Sequence, residues 1–170
     1  MRNRWSRRAF VIAGSGIGLS SARVLAQQAS TAQAPQQPVP ARPPRLELDM
    51  VQEFVAKAHG DLDRTRAMLD SVPALVNATW DWGGGDWETG LGGASHMGRP
   101  DIATFLLARG ARMDVFCAAM LGRLDIVKAF LDVDPAVISL KGPHGISLLR
   151  HAQAGKQQGV VDLLVKAGAT

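Results

Sequence analysis

A pattern of alanine, glycine and paired apolar residues recurs four times between residue 46 and the C-terminus. Its anchors are Gly60, Gly98, Gly122 and Lys156, and an alanine stands four residues before each of them. Apolar residues recur mostly four, five, eight and nine positions after the anchor. That spacing forms one face of a helix, and glycine ends the preceding helix because a left-handed turn costs it little. The pattern predicts four stacked pairs of short helices, since one pair cannot bury its apolar face alone.

The pattern resembles the ankyrin repeat, whose consensus of about 33 residues contains T-P-L-H-x-A-A-x-x-G and, further on, I-V-x-x-L-L-x-x-G-A. The second repeat matches best, through Thr89, Leu91, Ala94, Gly98, Phe105-Leu106-Leu107 and Gly110-Ala111. The fourth matches through Ser147, Leu149, Ala152 and Gly168-Ala169. The resemblance implies an all-α ankyrin solenoid of about four repeats over residues 46–170, with no sizeable sheet.

The repeat spacing is uneven: the interval from Gly60 to Gly98 is the longest, and the interval from Gly98 to Gly122 is the shortest. The long first interval predicts an expanded loop over Val76–Glu88. The short second interval predicts that Ala111-Arg112-Met113 runs almost directly into the next helix. The consensus proline and histidine are missing, so the hydrogen bonds by which the family stiffens its turns are not expected here.

The segment 1–26 has the composition of an export signal. Residues 1–8 are basic, and the apolar stretch after them is too short to span a bilayer, which takes about 20 residues. Ser6-Arg7-Arg8-Ala9-Phe10 resembles the twin-arginine export motif, and cleavage is expected after Ala26. The resemblance implies a periplasmic or secreted protein, with the twin-arginine translocase as a transient partner. That route carries folded chains, many with a metal or redox cofactor. We see no ligand set in the sequence and expect fast folding to explain the route.

The same segment contains AGSGIGL, in which Gly14, Gly16 and Gly18 are spaced as in a dinucleotide-binding loop. Such a loop needs a second strand and an acidic residue about 20 positions further on. The chain instead continues into a stretch rich in Gln, Ala and Pro, and its first acidic residue is Glu47. We therefore predict a signal peptide followed by a disordered linker over residues 27–45.

The formal net charge of +4 comes from this leader. Five arginines precede residue 27, and without them the basic side chains are one fewer than the acidic ones. The remaining chain has no basic patch for nucleic acid, and we expect no integral membrane segment in it. The single cysteine, Cys117, permits no internal disulfide and is expected to be a packed residue rather than a nucleophile.

The most unusual stretch is TWDWGGGDWETGLGG, residues 79–93, where acidic residues alternate with three tryptophans. The tryptophans are expected either to anchor a partner or to cover the core beside the long insertion, and the sequence favours neither. The stretch has too few oxygen ligands for a calcium loop, and its glycine run lacks the Lys and Ser/Thr of a phosphate loop.

Four histidines, His59, His96, His144 and His151, occupy different repeat positions and are expected to be scattered on surfaces and turns. We therefore predict no metal site and no cofactor. Apolar side chains on or near the first helix of the third repeat are expected to pack in the core or to line a concave binding face; they are Met113, Phe116 and Met120.

These observations predict a non-catalytic periplasmic module that binds an unidentified protein partner through its concave face and the tryptophan loop. The alternative is a protein that binds a small molecule or cell-wall fragment through that loop. A hydrolase using the loop acids is less favoured, because no nucleophile–base or carboxylate pair can be placed on rigid elements. The predicted partner-binding residues are Trp80, Trp82, Asp86, Trp87, Glu88, Met113, Phe116 and Met120.

Overall fold

A computed structural model describes residues 42–170 of the chain. The twin-arginine motif, the cleavage site at Ala26 and the glycine-rich stretch lie outside the described residues. Within residues 42–170 the chain is mostly helical, which confirms the all-α class. The helices are α1 (Leu48–Lys57), α2 (Leu62–Ser71), α3 (Gly90–His96), α4 (Pro100–Ala108), α5 (Val115–Met120), α6 (Leu124–Val133), α7 (Leu148–Ala154) and α8 (Gln158–Lys166).

The helices pack as four successive pairs, α1 with α2, α3 with α4, α5 with α6 and α7 with α8. The first helices of neighbouring pairs also pack on one another, in the order α1, α3, α5 and α7. Short 3₁₀ helices follow or precede them at Pro73–Asn77, Pro135–Ser139 and Pro143–Gly145. Among the described residues, no helix combines the length and the apolar character that a membrane span requires.

Side-chain caps and left-handed residues set the limits of the first helices. Thr89 Oγ1 accepts a hydrogen bond from the backbone N–H of Gly92 at 3.0 Å, which satisfies a donor that the first turn of α3 leaves free. Gly98 has φ 63° and Lys156 has φ 57° at corresponding turns. In the fourth repeat the glycine stands one residue earlier, at Gly155, where the backbone of Met120 leaves no room for a side chain.

The apolar interior forms two clusters. The first centres on Phe54, Ile102 and Leu106 and draws on α1 to α5. The second centres on Leu148 and Leu164 and draws on α5 to α8. Because α5 contributes buried residues to both clusters, it joins the interior of the first two helix pairs to that of the last two.

The long interval between the first two anchors contains a small hairpin. Strands β1 (Thr79–Asp81) and β2 (Trp87–Thr89) pair antiparallel, with Trp80 opposite Glu88. Gly83, Gly84 and Gly85 all have positive φ, and the Asp81 carboxylate accepts hydrogen bonds from the N–H groups of Gly83 and Gly85. Only glycine adopts positive φ at three consecutive positions at little energetic cost. The run therefore turns the chain back and brings Glu88 beside the helices.

Candidate metal centre

Three imidazole rings and one carboxylate converge near the C-terminal ends of α1 and α3, beside the hairpin. The ligating atoms of His59, Glu88, His96 and His144 all lie within 4.8 Å of one another. The expectation that the histidines are scattered is therefore wrong. It is also wrong for His151, which is fully buried and not on the surface.

Each of the four residues comes from a different element. His59 lies in the turn after α1, Glu88 in β2, His96 at the last position of α3, and His144 in the 3₁₀ helix Pro143–Gly145. A glycine makes room for the first of these rings, because a Cβ at Gly93 would lie 2.7 Å from His59 Nδ1. The stacking of α1 on α3 thus sets two ligands side by side, and the hairpin and a turn add the other two.

Glu88 is the only acidic residue that is buried within residues 42–170. Its Oε2 accepts a hydrogen bond from Trp82 Nε1 at 2.7 Å. His96 Nε2 lies 3.0 Å from Oε1, while the Nε2 atoms of His59 and His144 lie 3.3 Å and 3.4 Å from Oε2. Within residues 42–170, Oε1 has no well-aligned hydrogen bond. Burial alone would raise the pKa of Glu88, yet polar contacts with His59, His96 and Trp82 outweigh it and lower that pKa. An ionised carboxylate oxygen therefore faces the three rings.

Hydrogen bonds fix which ring nitrogens point into the cluster. His59 Nδ1 lies 2.9 Å from the carbonyl oxygen of Val55, and His144 Nδ1 lies 2.7 Å from Asp86 Oδ2. Both oxygens only accept, so each Nδ1 carries a proton, and in the neutral ring Nε2 presents a lone pair. Metal-ligating histidines are oriented in this way in most proteins.

The Nε2 atoms of His59 and His96 face each other at 3.1 Å. A lone pair on one nitrogen needs a proton or a metal ion between it and the other. The polar contact with Glu88 raises the pKa of His59 against the opposing effect of burial. The short distance between the two Nε2 atoms and the raised pKa of His59 both indicate a site that attracts a cation.

His144 adopts a left-handed conformation, with φ 58° and ψ 21°, which is uncommon for a residue with a side chain. Asp86 holds it there from two directions: Oδ1 accepts the backbone N–H at 2.8 Å and Oδ2 accepts the ring N–H. The backbone hydrogen bond is the largest cause that lowers the pKa of Asp86. Strained residues of this kind cluster at functional sites, so the conformation supports a role for His144.

The remaining predicted site residues have different surroundings. Glu88 and Met120 are buried, so Met120 takes the core position that the sequence left open, and Glu88 faces the cluster rather than solvent. Trp80 packs against the first apolar cluster, whereas Trp87 is 60% exposed, so the loop partly covers the core and partly faces solvent. Met113 and Phe116 are partly buried and pack against the apolar clusters.

Cys117 is buried, and burial raises its pKa to about 11. A thiol with so high a pKa is protonated at neutral pH and is a poor nucleophile or ligand. The expectation that Cys117 is a packed residue is confirmed. The only thiol of the chain is therefore not among the cluster's ligands.

The sequence carried one usable signal for the cluster. His59 and His96 stand one and two residues before the anchors of consecutive repeats, so stacking places them at the same end of neighbouring helices. Glu88 and His144 follow no repeat position and have no local spacing motif. No protein-family model matches the sequence, and neither does any curated protein.

Proposed function

We propose that this protein binds one divalent first-row transition metal ion through three imidazole Nε2 atoms and one carboxylate oxygen. The ligands are His59, Glu88, His96 and His144. The observation that carries the proposal is the buried Glu88 carboxylate among three histidines: Oε1 lies 3.0 Å from His96 Nε2, and Oε2 lies 3.3 Å and 3.4 Å from the Nε2 atoms of His59 and His144. Burying an ionised carboxylate is costly unless a cation or hydrogen bonds compensate it.

The donor set favours some metals over others. Three imidazole nitrogens and one carboxylate oxygen suit Zn²⁺, Co²⁺, Ni²⁺ and Fe²⁺. Mg²⁺ and Ca²⁺ prefer shells made entirely of oxygen, and Cu⁺ prefers sulfur. A borderline divalent cation is therefore the expected ligand.

Three of the four ligands have an outer partner that orients them. Val55 and Asp86 accept from the Nδ1–H groups of His59 and His144, and Trp82 donates to Glu88 Oε2. Such partners commonly contribute a factor of about 10 to 100 to metal affinity. They support a site built for coordination rather than an incidental cluster.

The test is a calorimetric titration of the full chain, stripped with a chelator, with Zn²⁺. We expect one ion per chain, and we expect Glu88→Gln to weaken binding by more than about 100-fold, beyond the usual loss of an outer hydrogen bond. Glu53→Gln is the matched control, because Glu53 pairs with Arg64 on α1 and α2 and should leave Zn²⁺ affinity unchanged. If Zn²⁺ does not bind, or binds equally to wild type and Glu88→Gln, the proposal is wrong.

A second candidate function is non-catalytic binding of a protein partner on an ankyrin-type array. The turns at Gly98 and Lys156 and the cap at Thr89 support that type of repeat. A cavity of about 320 Å³ is lined by Asp86, Trp87 and Phe116, so three of the predicted partner-binding residues share one surface. A photo-crosslinking residue at Trp87 should capture a protein in intact cells, while the same residue at Leu48, which is also exposed, should not.

Periplasmic localisation through the twin-arginine route is part of the proposal. A route that exports folded chains would let the metal centre assemble before export. Changing Arg7 and Arg8 together to Lys should retain the protein in the cytoplasm, as cell fractionation would show. Unchanged export of that double variant would refute the assignment.

A further inference from the structure

We infer that the metal centre keeps one coordination position open to solvent and takes there a small exogenous ligand, either water or a small monovalent anion. The position lies at a mouth lined by Ala56, His59, Trp82 and His144. This inference rests on the proposed metal site and goes beyond it, because it distinguishes a reactive centre from a purely structural one.

The ligands differ in exposure in a way that gives the site two sides. The side chains of Glu88 and His96 are 0% and 8% exposed, whereas those of His59 and His144 are 23% and 33% exposed. A metal ion held by all four would therefore have protein on one side and the mouth on the other.

A cavity of about 290 Å³ borders the exposed side. A water molecule takes up roughly 30 Å³ in the liquid, so the cavity holds a water or a small anion beside the metal. Two of the three histidine ligands line it, and Glu88 and His96 do not. The exposed faces of the ligands and the cavity therefore coincide.

Within residues 42–170, each of the four clustered side chains offers one ligating atom, so together they supply four donor atoms. Closed structural zinc sites are mostly built from cysteines, whereas sites of nitrogen and oxygen ligands with an accessible side bind exchangeable ligands. Octahedral metal centres accept further ligands beyond four.

Charge selects the kind of ligand. A divalent ion with one coordinating carboxylate retains one positive charge in its ligand shell. The other two residues at the mouth, Ala56 and Trp82, are uncharged. A monovalent anion bound at the open position would neutralise that charge.

The test uses the full chain loaded with Co²⁺, whose visible absorption reports its ligands, and titrates it with sodium azide at constant pH and ionic strength. We expect the visible bands to change and to saturate. Ala56→Phe should fill the mouth and weaken azide binding by at least about tenfold, with Co²⁺ affinity unchanged. Ala129→Phe, on the exposed surface of α6, is the matched control and should bind azide like wild type.

The outcomes separate the two proposals. If no visible cobalt bands form, the metal site itself is wrong. If the bands form but azide leaves them unchanged, the metal site stands and the open position is wrong. If azide binds equally to wild type and Ala56→Phe, the ligand does not enter at the mouth and the inference fails as stated.

Discussion

The connection between the first and second helix pairs and the connection between the second and third differ in length and in chemistry. The long connection, residues 72–89, holds a 3₁₀ helix and the hairpin, and supplies Trp82, Asp86 and Glu88 to the metal centre. The short connection, residues 109–114, supplies a helix cap through Asp114. The repeated helix pairs therefore carry His59 and His96, and the insertion adds the carboxylate of Glu88 and the outer partners Trp82 and Asp86.

The two connections also touch. The side chain of Asn77 donates to the carbonyl oxygen of Gly110 at 3.1 Å and accepts from the backbone N–H of Arg112 at 2.9 Å. The start of the long connection is thus fixed to the short one. Substitutions in the two connections can therefore be compared within one protein. Those in the long connection should change metal affinity, and those in the short connection should change the free energy of unfolding.

The largest expected effect is the stabilisation of the fold by metal. At free Zn²⁺ about 100 times the dissociation constant, the free energy of unfolding should rise by about 2.7 kcal/mol, because the ion binds only the folded chain. Chemical denaturation with and without Zn²⁺ measures this. Glu88→Gln should show almost none of the increase, and an equal increase in that variant would place the bound ion elsewhere.

The next largest effect is on Zn²⁺ affinity and comes from comparing substitutions of two helical glycines. Gly93→Ala places a methyl group against the His59 ring and should lower Zn²⁺ affinity by about 10- to 100-fold, the range for a displaced ligand partner. Gly159→Ala, on α8, meets no atom of residues 42–170 within 4 Å and should leave affinity unchanged while stabilising the helix by up to about 1 kcal/mol. Equal Zn²⁺ affinities, measured by competition with a chelating dye, would contradict the proposed role of Gly93.

A third test compares one aspartate from each connection. Asp86→Ala removes the acceptor for the ring N–H of His144 and should weaken Zn²⁺ binding by about tenfold. Asp114→Ala removes a helix cap and should cost about 1 kcal/mol of stability with Zn²⁺ affinity unchanged. The comparison fails if both substitutions affect metal affinity alike.

The smallest effect is a pH dependence outside the metal centre. Burial lowers the pKa of His151 below 6.5, so the folded state favours the neutral ring. Because the unfolded state binds the proton more readily, stability is full above about pH 6.5 and falls as the pH drops toward the folded pKa. The loss is at most about 1.4 kcal/mol per pH unit. Urea unfolding should show this slope in wild type and a shallower one in His151→Phe, and identical slopes would contradict it.

The scaffold could be predicted largely from the sequence because its signals are local. Gly98 and Gly122 end helices, as the pattern predicts, and both have positive φ. The short interval between these two anchors correctly indicated a direct connection, and the long interval before Gly98 correctly indicated an insertion. At Lys156 the pattern was right about the turn, although the residue is not glycine.

The metal centre could not be predicted because its contacts are distant in the sequence. Glu88 and His144 belong to different repeats and are far apart along the chain, yet their Oε2 and Nε2 atoms lie 3.4 Å from each other. Helical periodicity also could not tell that Glu88 points inward, since the strand that carries it follows a glycine turn. For Met120, spacing could not separate a core position from a binding face, and the fold places it in the core.

X-ray absorption at the zinc edge of the Zn²⁺-loaded protein tests the central claim most directly, because it reports the atoms bound to the ion. We predict a shell of nitrogen and oxygen only, with outer scattering that fits three imidazole rings. A sulfur neighbour from Cys117, or a shell without imidazole scattering, would contradict the assignment of His59, Glu88, His96 and His144 as the metal ligands.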